Sequence, residues 1–448
     1  MAKTDILIIG GGPAGVVAAV TARKNNPSKK IALVRETEKA VIPCGIPYIF
    51  NRLDSAEKNI MPDNGLEANK IDILIDKAVK IDKTAKTVDL KSGKNISYDK
   101  LILAVGSKPI TIPIDGIDKK GVWRVEKDLE YLKKLRQEVL KSKNIVILGG
   151  GFIGVEIAEE LININGLNIS LVEKLDNCLI TTLDKEFAVE AEEKLKQKGV
   201  KLYTNCSVNQ ITGKNRVEYV KLDNGKTIPA DIVILAIGAR PNIDLTKEPG
   251  IKLGDYNGIR VDEYMRTNVP DIFAIGDCAE TRDFFTGKHI PIMLASTATT
   301  KARIVAANLY QLNDLRETKG TLSSFSTCID GLVLGGTGIT ENRAKKEGFD
   351  ILLGTSQCPN HHPGTLPNTG SIKVKLIFSK TSKALLGAQI SGPESISEMI
   401  NILALAIQNE LTVYDFQTMQ FSTHPLLTTA PTVYPLITAA QSALAKLD

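Results

Sequence analysis

Short runs of β-branched and aliphatic residues, each closed by glycine, pattern the chain as far as about residue 320. Residues 6–9 are all Ile or Leu and lead into the glycine cluster at 10–15. Residues 145–148 are all Ile, Val or Leu and lead into the cluster at 149–154. Continuous apolar runs of this length read as strands buried on both faces, as in a parallel sheet. After each cluster comes a helical stretch rich in Ala, Val or Glu, then a second apolar run, at 31–34 in one copy and 169–172 in the other. The pattern states a β-α-β unit twice. Further strand-like runs exit through Gly106, Gly238 and Gly276. Beyond residue 320 the character changes. Strand-like stretches at 371–378 and 385–390 precede an amphipathic helical stretch at 395–409, which predicts a separate α+β domain.

Both clusters fit G-x-G-x-x-G: Gly10, Gly12 and Gly15 in the first, Gly149, Gly151 and Gly154 in the second. In a β-α-β unit these glycines allow a tight turn, close approach of a pyrophosphate to the backbone, and close packing of helix on strand. The helix then presents its first N–H groups to the anion. Pro13 and Ala14 fill the variable positions of the first motif, and Phe152 and Ile153 those of the second. Glu173 directly follows the second strand of the second unit, where a carboxylate can accept hydrogen bonds from an adenosine ribose. In the first unit Arg35 intervenes, and Glu36, with Glu38 beyond it, is the candidate acid. The expected class is α/β, with two Rossmann-like dinucleotide-binding domains followed by the α+β domain.

Composition narrows the partners. The net charge of +5 is spread without a basic run, so neither nucleic acid nor an anionic membrane is expected as a partner. Residues 6–22 are almost free of charge, but Gly10, Gly11, Gly12, Pro13 and Gly15 interrupt any signal-type apolar core. No uninterrupted run is long enough for a membrane span. Six scattered cysteines are too few for a secreted disulfide framework, and a reducing cytoplasm is the expected compartment. Cys358, His361 and His362 lack a fourth neighbouring ligand, so no metal is expected there.

The two motifs, the pair Gly276-Asp277 and the α+β tail together resemble the two-dinucleotide flavoprotein disulfide reductases along nearly the whole chain. The resemblance implies an enzyme with FAD on the first motif and NADH, or alternatively NADPH, on the second. It implies an FAD domain at 1–112 and 241–321, an NAD(P)H domain at 113–240 and a C-terminal homodimerisation domain at 322–448. Asp277 then faces the flavin's ribityl chain, and Glu156 lies by the nicotinamide. Pro43, Gly106, Gly238, Gly276, Leu294 and Ala295 join the cofactor-binding set.

Cys44 sets the branch. Dithiol members carry C-x4-C, but position 49 here is Ile. The segment around Pro43-Cys44-Gly45 is similar to the single-cysteine group of CoA-disulfide reductases, polysulfide or persulfide reductases, NADH oxidases and NADH peroxidases. The implied cycle passes electrons from NADH through the flavin to a disulfide between Cys44 and a small thiol. The released thiolate, the nucleophilic form of cysteine, then attacks the next disulfide or persulfide sulfur. The leaving thiolate needs a proton, and His424, before Pro425, is the candidate acid. Thr429 stands where glutathione-reductase-like members carry the glutamate that orients their histidine. Pro13 stands where oxidases and peroxidases of the group often carry histidine, which favours reduction of a disulfide, persulfide or polysulfide. An NADH oxidase or peroxidase is the alternative, and an electron-transfer flavoprotein serving a protein partner is a third reading.

Overall fold

The computed structural model describes residues 2–247, 249–311 and 317–447. Met1 and Asp448, the outer bounds of the expected domains, lie outside that set. The chain divides into two compact units. The first comprises Met1–Pro113, Arg124–Lys141 and Ile237–Thr321, and the second comprises Ile114–Trp123, Ser142–Ala236 and Leu322–Asp448. The helix Leu129–Leu140 therefore lies in the first unit.

In the first unit five strands form a parallel sheet in the order Ile272–Ala274, Lys100–Leu103, Ile6–Ile9, Ile31–Arg35, Asp72–Ile75. The two central strands are buried along their whole length. That burial explains their unbroken apolar sequence, since helices or loops must cover both faces of a parallel sheet. The helices Pro13–Asn25 and Ala295–Ala307 pack on each other, through a surface rich in alanine. Small side chains let the two helices approach closely. A separate four-stranded sheet brings in Ala78–Asp82, Thr87–Leu90 and Asn95–Ser97.

The second unit repeats the arrangement. Ile232–Leu235, Asn144–Leu148, Asn168–Val172 and Lys201–Tyr203 are neighbouring parallel strands of a five-stranded sheet. Its C-terminal part is a five-stranded antiparallel sheet in the order Phe325–Ile329, Leu332–Gly338, Leu385–Gly392, Ser371–Ser379, Ile351–Pro359. The helices Ser397–Gln408 and Pro435–Leu444 pack on it, as the amphipathic stretch before Asn409 predicts.

A charge cluster around the buried Lys375 and Asp184 ties the α+β part to the nucleotide fold within this unit. Lys375 Nζ lies 3.0 Å from Asp184, 2.6 Å from Glu186 and 2.5 Å from Glu341. Asp184 also accepts from the backbone N–H of Glu341 and Asn342 and from Gln389 Nε2. Burial works to lower the Lys375 pKa, but the hydrogen bonds to Glu186, Glu341 and Asp184 hold it above its ordinary range. These three carboxylates are close enough together to hold a cation, and the ammonium of Lys375 takes that place. Among the described residues no helix is long and apolar enough to cross a membrane.

Candidate dinucleotide and thiol sites

The first glycine motif is shaped by what its glycines lack. A Cβ on Gly15 would lie 1.9 Å from Gly10 O, and one on Gly10 would lie 2.1 Å from Ala104 O. Gly10 also has a φ of 118°, a conformation that side chains resist. Gly12 differs, because a Cβ there would meet nothing within 4 Å. Gly12 is the N-cap of the helix Pro13–Asn25, with no side-chain cap and Pro13 in the first turn. The first-turn N–H groups, Ala14's among them, thus have no helical partner and border open space. That space fits the pyrophosphate of a dinucleotide.

Gly276 approaches the same helix start. Gly276, at a φ of 71°, would put a Cβ 3.1 Å from the Ala14 side chain and 3.9 Å from that of Ala298. Asp277 follows in a 3₁₀ turn, and Ser107 Oγ, next to Gly106, donates to its carboxylate at 2.8 Å. Lys127 Nζ reaches the same carboxylate at 3.2 Å. Leu294 caps the helix beginning at Ala295 without a side-chain bond, which offers a second uncapped helix start. Gly238, at a φ of 103°, accepts a backbone bond from Ile110. Ser107 and Lys127 were not foreseen, and only the family-like glycine turn before Ser107 hinted at the former.

At the strand end of this motif Arg35 and Glu36 turn to different surroundings. Arg35, 6% exposed, is the last residue of its strand, and its stem lies under Gly11, where a Cβ would be 2.6 Å from Arg35 Cδ. Its guanidinium makes a two-pronged ion pair with Asp63, both contacts at 2.6 Å. Glu36 instead has a carboxylate 60% exposed and paired with Lys77 at 3.0 Å. In the second unit the residue that follows the strand is Glu173. Its two oxygens accept from the N–H of Gly150 at 2.6 Å and of Leu175 at 2.7 Å.

The second motif otherwise repeats the first. A Cβ on Gly154 would lie 1.9 Å from Gly149 O, Gly149 has a φ of 107°, and Gly151 faces open space. Gly151 caps the helix Phe152–Ile162 without a side-chain bond, leaving the N–H groups of the first turn, Ile153 included, without helical partners. The Phe152 ring packs on Phe325 with centroids 4.8 Å apart. One turn on, Glu156 accepts a 2.9 Å hydrogen bond from Thr327 Oγ1. Burial pushes the Glu156 carboxyl up to about 7, the Thr327 bond opposes this, and the charge of Glu159 adds to it.

Cys44 is exposed, in a 3₁₀ turn spanning Pro43–Gly45. Ile49, where dithiol enzymes have their second cysteine, is fully buried. Burial pushes the thiol of Cys178 up to about 12 and those of Cys278 and Cys358 up to about 11, which disfavours the thiolate in each. His424 lies on an exposed loop, where its Nδ1 accepts from Leu426 N at 3.2 Å. Thr429 is 2% exposed. His361 Nδ1 meets Thr369 Oγ1 at 3.4 Å and His362 Nδ1 meets Thr428 O at 3.1 Å, so each imidazole has its own hydrogen-bonding neighbour.

This fold, with its two uncapped glycine cradles, matches a family model described as pyridine nucleotide-disulphide oxidoreductase over residues 4–302. The dimerisation domain of the same family matches residues 325–433. The chain belongs to this family, and it is an enzyme that uses FAD and NAD(P)H. Among individual proteins, it is 33% identical to an NADH oxidase of Methanocaldococcus jannaschii, with 99% of each chain covered. It is 31% identical to an NAD(P)H coenzyme A polysulfide/persulfide reductase of Pyrococcus horikoshii, with 98% of each covered. Among solved structures, an NAD-dependent persulfide reductase from A. fulgidus superposes with a TM-score of 0.90 at 30% identity. That match covers 99% of this chain and 83% of the other.

Two measurements follow from this geometry. Because no protein atom lies where Cβ groups on Gly12 and Gly151 would go, valine at either position should leave the unfolding midpoint of the ligand-free protein nearly unchanged. Gly12→Val should weaken FAD binding by about tenfold or more while Gly151→Val spares it and weakens NADH binding, as read by fluorescence titration. Equal losses for both ligands in both variants would contradict the assignment of one ligand to each cradle. The second measurement concerns Glu156. Its folded-state pKa lies above the ordinary 4.5, so the folded state holds the proton more tightly and stability declines as pH rises from 4.5 toward 7. Glu156→Gln should lack that decline. Relative to the parent it should gain up to about 3 kcal/mol between pH 4.5 and about pH 8 in urea unfolding of the ligand-free protein. Parallel pH curves would refute a buried carboxyl at this position.

Proposed function

We propose that the enzyme transfers electrons from NADH to a small disulfide, CoA disulfide, persulfide or polysulfide, with Cys44 as its single redox thiol. The observation that carries this is the exposed Cys44 turn paired with a fully buried Ile49. With isoleucine rather than a second cysteine at position 49, the mixed disulfide of the proposed cycle forms with a substrate half. Bound FAD supplies the two-electron relay between nicotinamide and sulfur. In the sulfur step the Cys44 thiolate attacks a substrate sulfur. One S–S bond forms, another breaks, and the departing thiolate takes a proton. Over the cycle NADH, a proton and one disulfide give NAD⁺ and two thiols.

The enzyme's relatives include both an NADH oxidase and a polysulfide/persulfide reductase, which fits either an oxygen or a sulfur acceptor. Pro13 favours sulfur, because a side chain without a proton stands at the first turn of the flavin-motif helix. His424 is proposed as the proton donor to the leaving thiolate. The dimerisation domain is proposed to pair two copies, covering exposed apolar residues such as Leu405, Leu426 and Leu427. The FAD domain at 1–112 and 241–321, the NAD(P)H domain at 113–240 and the C-terminal domain at 322–448 are proposed as the functional divisions. An exposed thiol that must stay reduced between turnovers suits a reducing compartment.

Cys44→Ser tests the proposal. The glycine cradles do not involve Cys44, so the variant should keep FAD and its reduction by NADH. Serine forms no mixed disulfide, and reduction of CoA disulfide and polysulfide should fall by orders of magnitude. Retention of near-parent rates with both acceptors would overturn the single-thiol reading. If instead the parent consumes oxygen to water and the variant releases hydrogen peroxide, the enzyme is an oxidase.

The cofactor preference follows from Glu173. Both its oxygens are held by backbone N–H groups beside the second cradle, which fixes a negative charge there. A 2′-phosphate would meet that charge, so NADH should be preferred over NADPH by about tenfold or more in kcat/KM. Equal values for the two would sink this assignment.

A further inference from the structure

The turn that carries Cys44 is held by one buried amide. Asn59 is 2% exposed, in a setting where Val41, Ile46, Ile49, Phe50 and Ala56 are likewise almost fully buried. An amide costs free energy in such surroundings unless it is hydrogen-bonded. Its Nδ2 donates to Ile42 O at 3.0 Å, two residues before the cysteine. Its Oδ1 lies against Gly45, one residue after, where a Cβ would be only 1.9 Å away. Its backbone carbonyl accepts from Ile42 N at 2.9 Å, and the neighbouring Val41 and Ile60 form an antiparallel bridge. Asn59 thus grips the turn on both sides of the sulfur.

The segment that supplies Asn59 is braced in turn. Glu57 pairs with Lys133 at 3.0 Å, and Arg136 Nε donates to Ile49 O at 2.9 Å. Asp63, four residues beyond Asn59, is the partner of the buried Arg35 at the end of the strand Ile31–Arg35. The cysteine turn is thereby fixed to the same strand end that borders the first cradle.

We propose that Asn59 is a positioning residue for the Cys44 thiol. It sets the direction of the sulfur for exchange with substrate, and it is the reason position 45 is glycine. The proposal rests on the reading of Cys44 as the redox thiol. Its expected signature is a selective loss. A misplacement of about 1 Å can cost about 100-fold in a step that needs alignment, whereas hydride transfer to the flavin does not use the sulfur.

The test uses the FAD-loaded enzyme under anaerobic conditions. In Asn59→Ala, flavin reduction by NADH should stay within about twofold of the parent. Reoxidation by CoA disulfide or polysulfide should slow by about 10- to 100-fold. Gly45→Ala, which drives a Cβ into Oδ1, should show the same pattern. The double variant Asn59→Ala/Gly45→Ala should be no worse than either single, since the clash and the grip vanish together. Asn59→Asp puts a negative charge beside the turn and should move the pH profile of Cys44 alkylation by iodoacetamide to higher pH. Cys44→Ser supplies the blank for that measurement. If reduction and reoxidation fall together, if FAD is lost, or if no variant changes reoxidation, the positioning role is wrong. Should Cys44→Ser abolish sulfur reduction while the Asn59 variants leave it intact, only the positioning inference fails. Should Cys44→Ser itself keep that activity, the thiol reading fails first.

Discussion

Two missing methyl groups govern the architecture of the two nucleotide folds. Gly15 and Gly154 each sit on the carbonyl of the first glycine of their own motif, closer than any side chain allows. That contact lets a helix start directly over the end of a strand, with its first N–H groups aimed along the exit of the sheet. The strands need the helix to cover their apolar face, and the helix needs the strand end to anchor its start. Gly10 and Gly149, both at positive φ, make the turn that joins them. An alanine at Gly15 or Gly154 would force the helix away and close the cradle before any ligand chemistry mattered. The two cradles are therefore a by-product of packing, and the open space over Gly12 and Gly151 is what that packing leaves unfilled.

Once the backbone is duplicated, the two cradles can differ only through side chains at their rims, and the strand ends differ in charge. Glu173 brings a carboxylate that the backbone of its own turn orients through two N–H groups. Arg35 brings a cation that Asp63 neutralises with two short contacts. An arginine at a strand end can otherwise accommodate a phosphate. Here the Asp63 carboxylate already occupies the fork of the guanidinium, so a second anion would displace an intact ion pair. The first rim is close to neutral and the second is negative.

These particulars show which parts of the molecule a sequence exposes. The strands around the motifs were legible because burial on both faces forbids polar interruptions, and the motifs because each glycine answers a steric demand within a few residues. The α+β tail was legible from a change in periodicity. Cys44 stood out because a cysteine between proline and glycine fits a core poorly. What could not be read depends on crossings between distant segments. Asp63 lies far from Arg35 along the chain, and so does Lys375 from Asp184, yet each pair is tightly bonded and has at least one buried partner. Periodicity cannot say which of two adjacent residues, Arg35 or Glu36, turns inward. Burial selected Arg35 and sent Glu36 to Lys77. Asn59 gave no signal, since an asparagine in a polar stretch reads as a loop residue.

On the proposed reading of Cys44 as the redox thiol, Asn59 and Cys44 also illustrate how it differs from three buried cysteines. A thiolate is a charge, and burial penalises it; the raised values at Cys178, Cys278 and Cys358 express that penalty. Cys44 is exposed, and an exposed sulfur is aligned for exchange only if its turn is held in place. The buried amide resolves the conflict by anchoring the turn on its inner side while the sulfur stays on the outer side. Accessibility and alignment are thus supplied by different residues. The proposed nucleophile stays exposed, while the buried polar cost falls on Asn59 and is offset by its bond to Ile42.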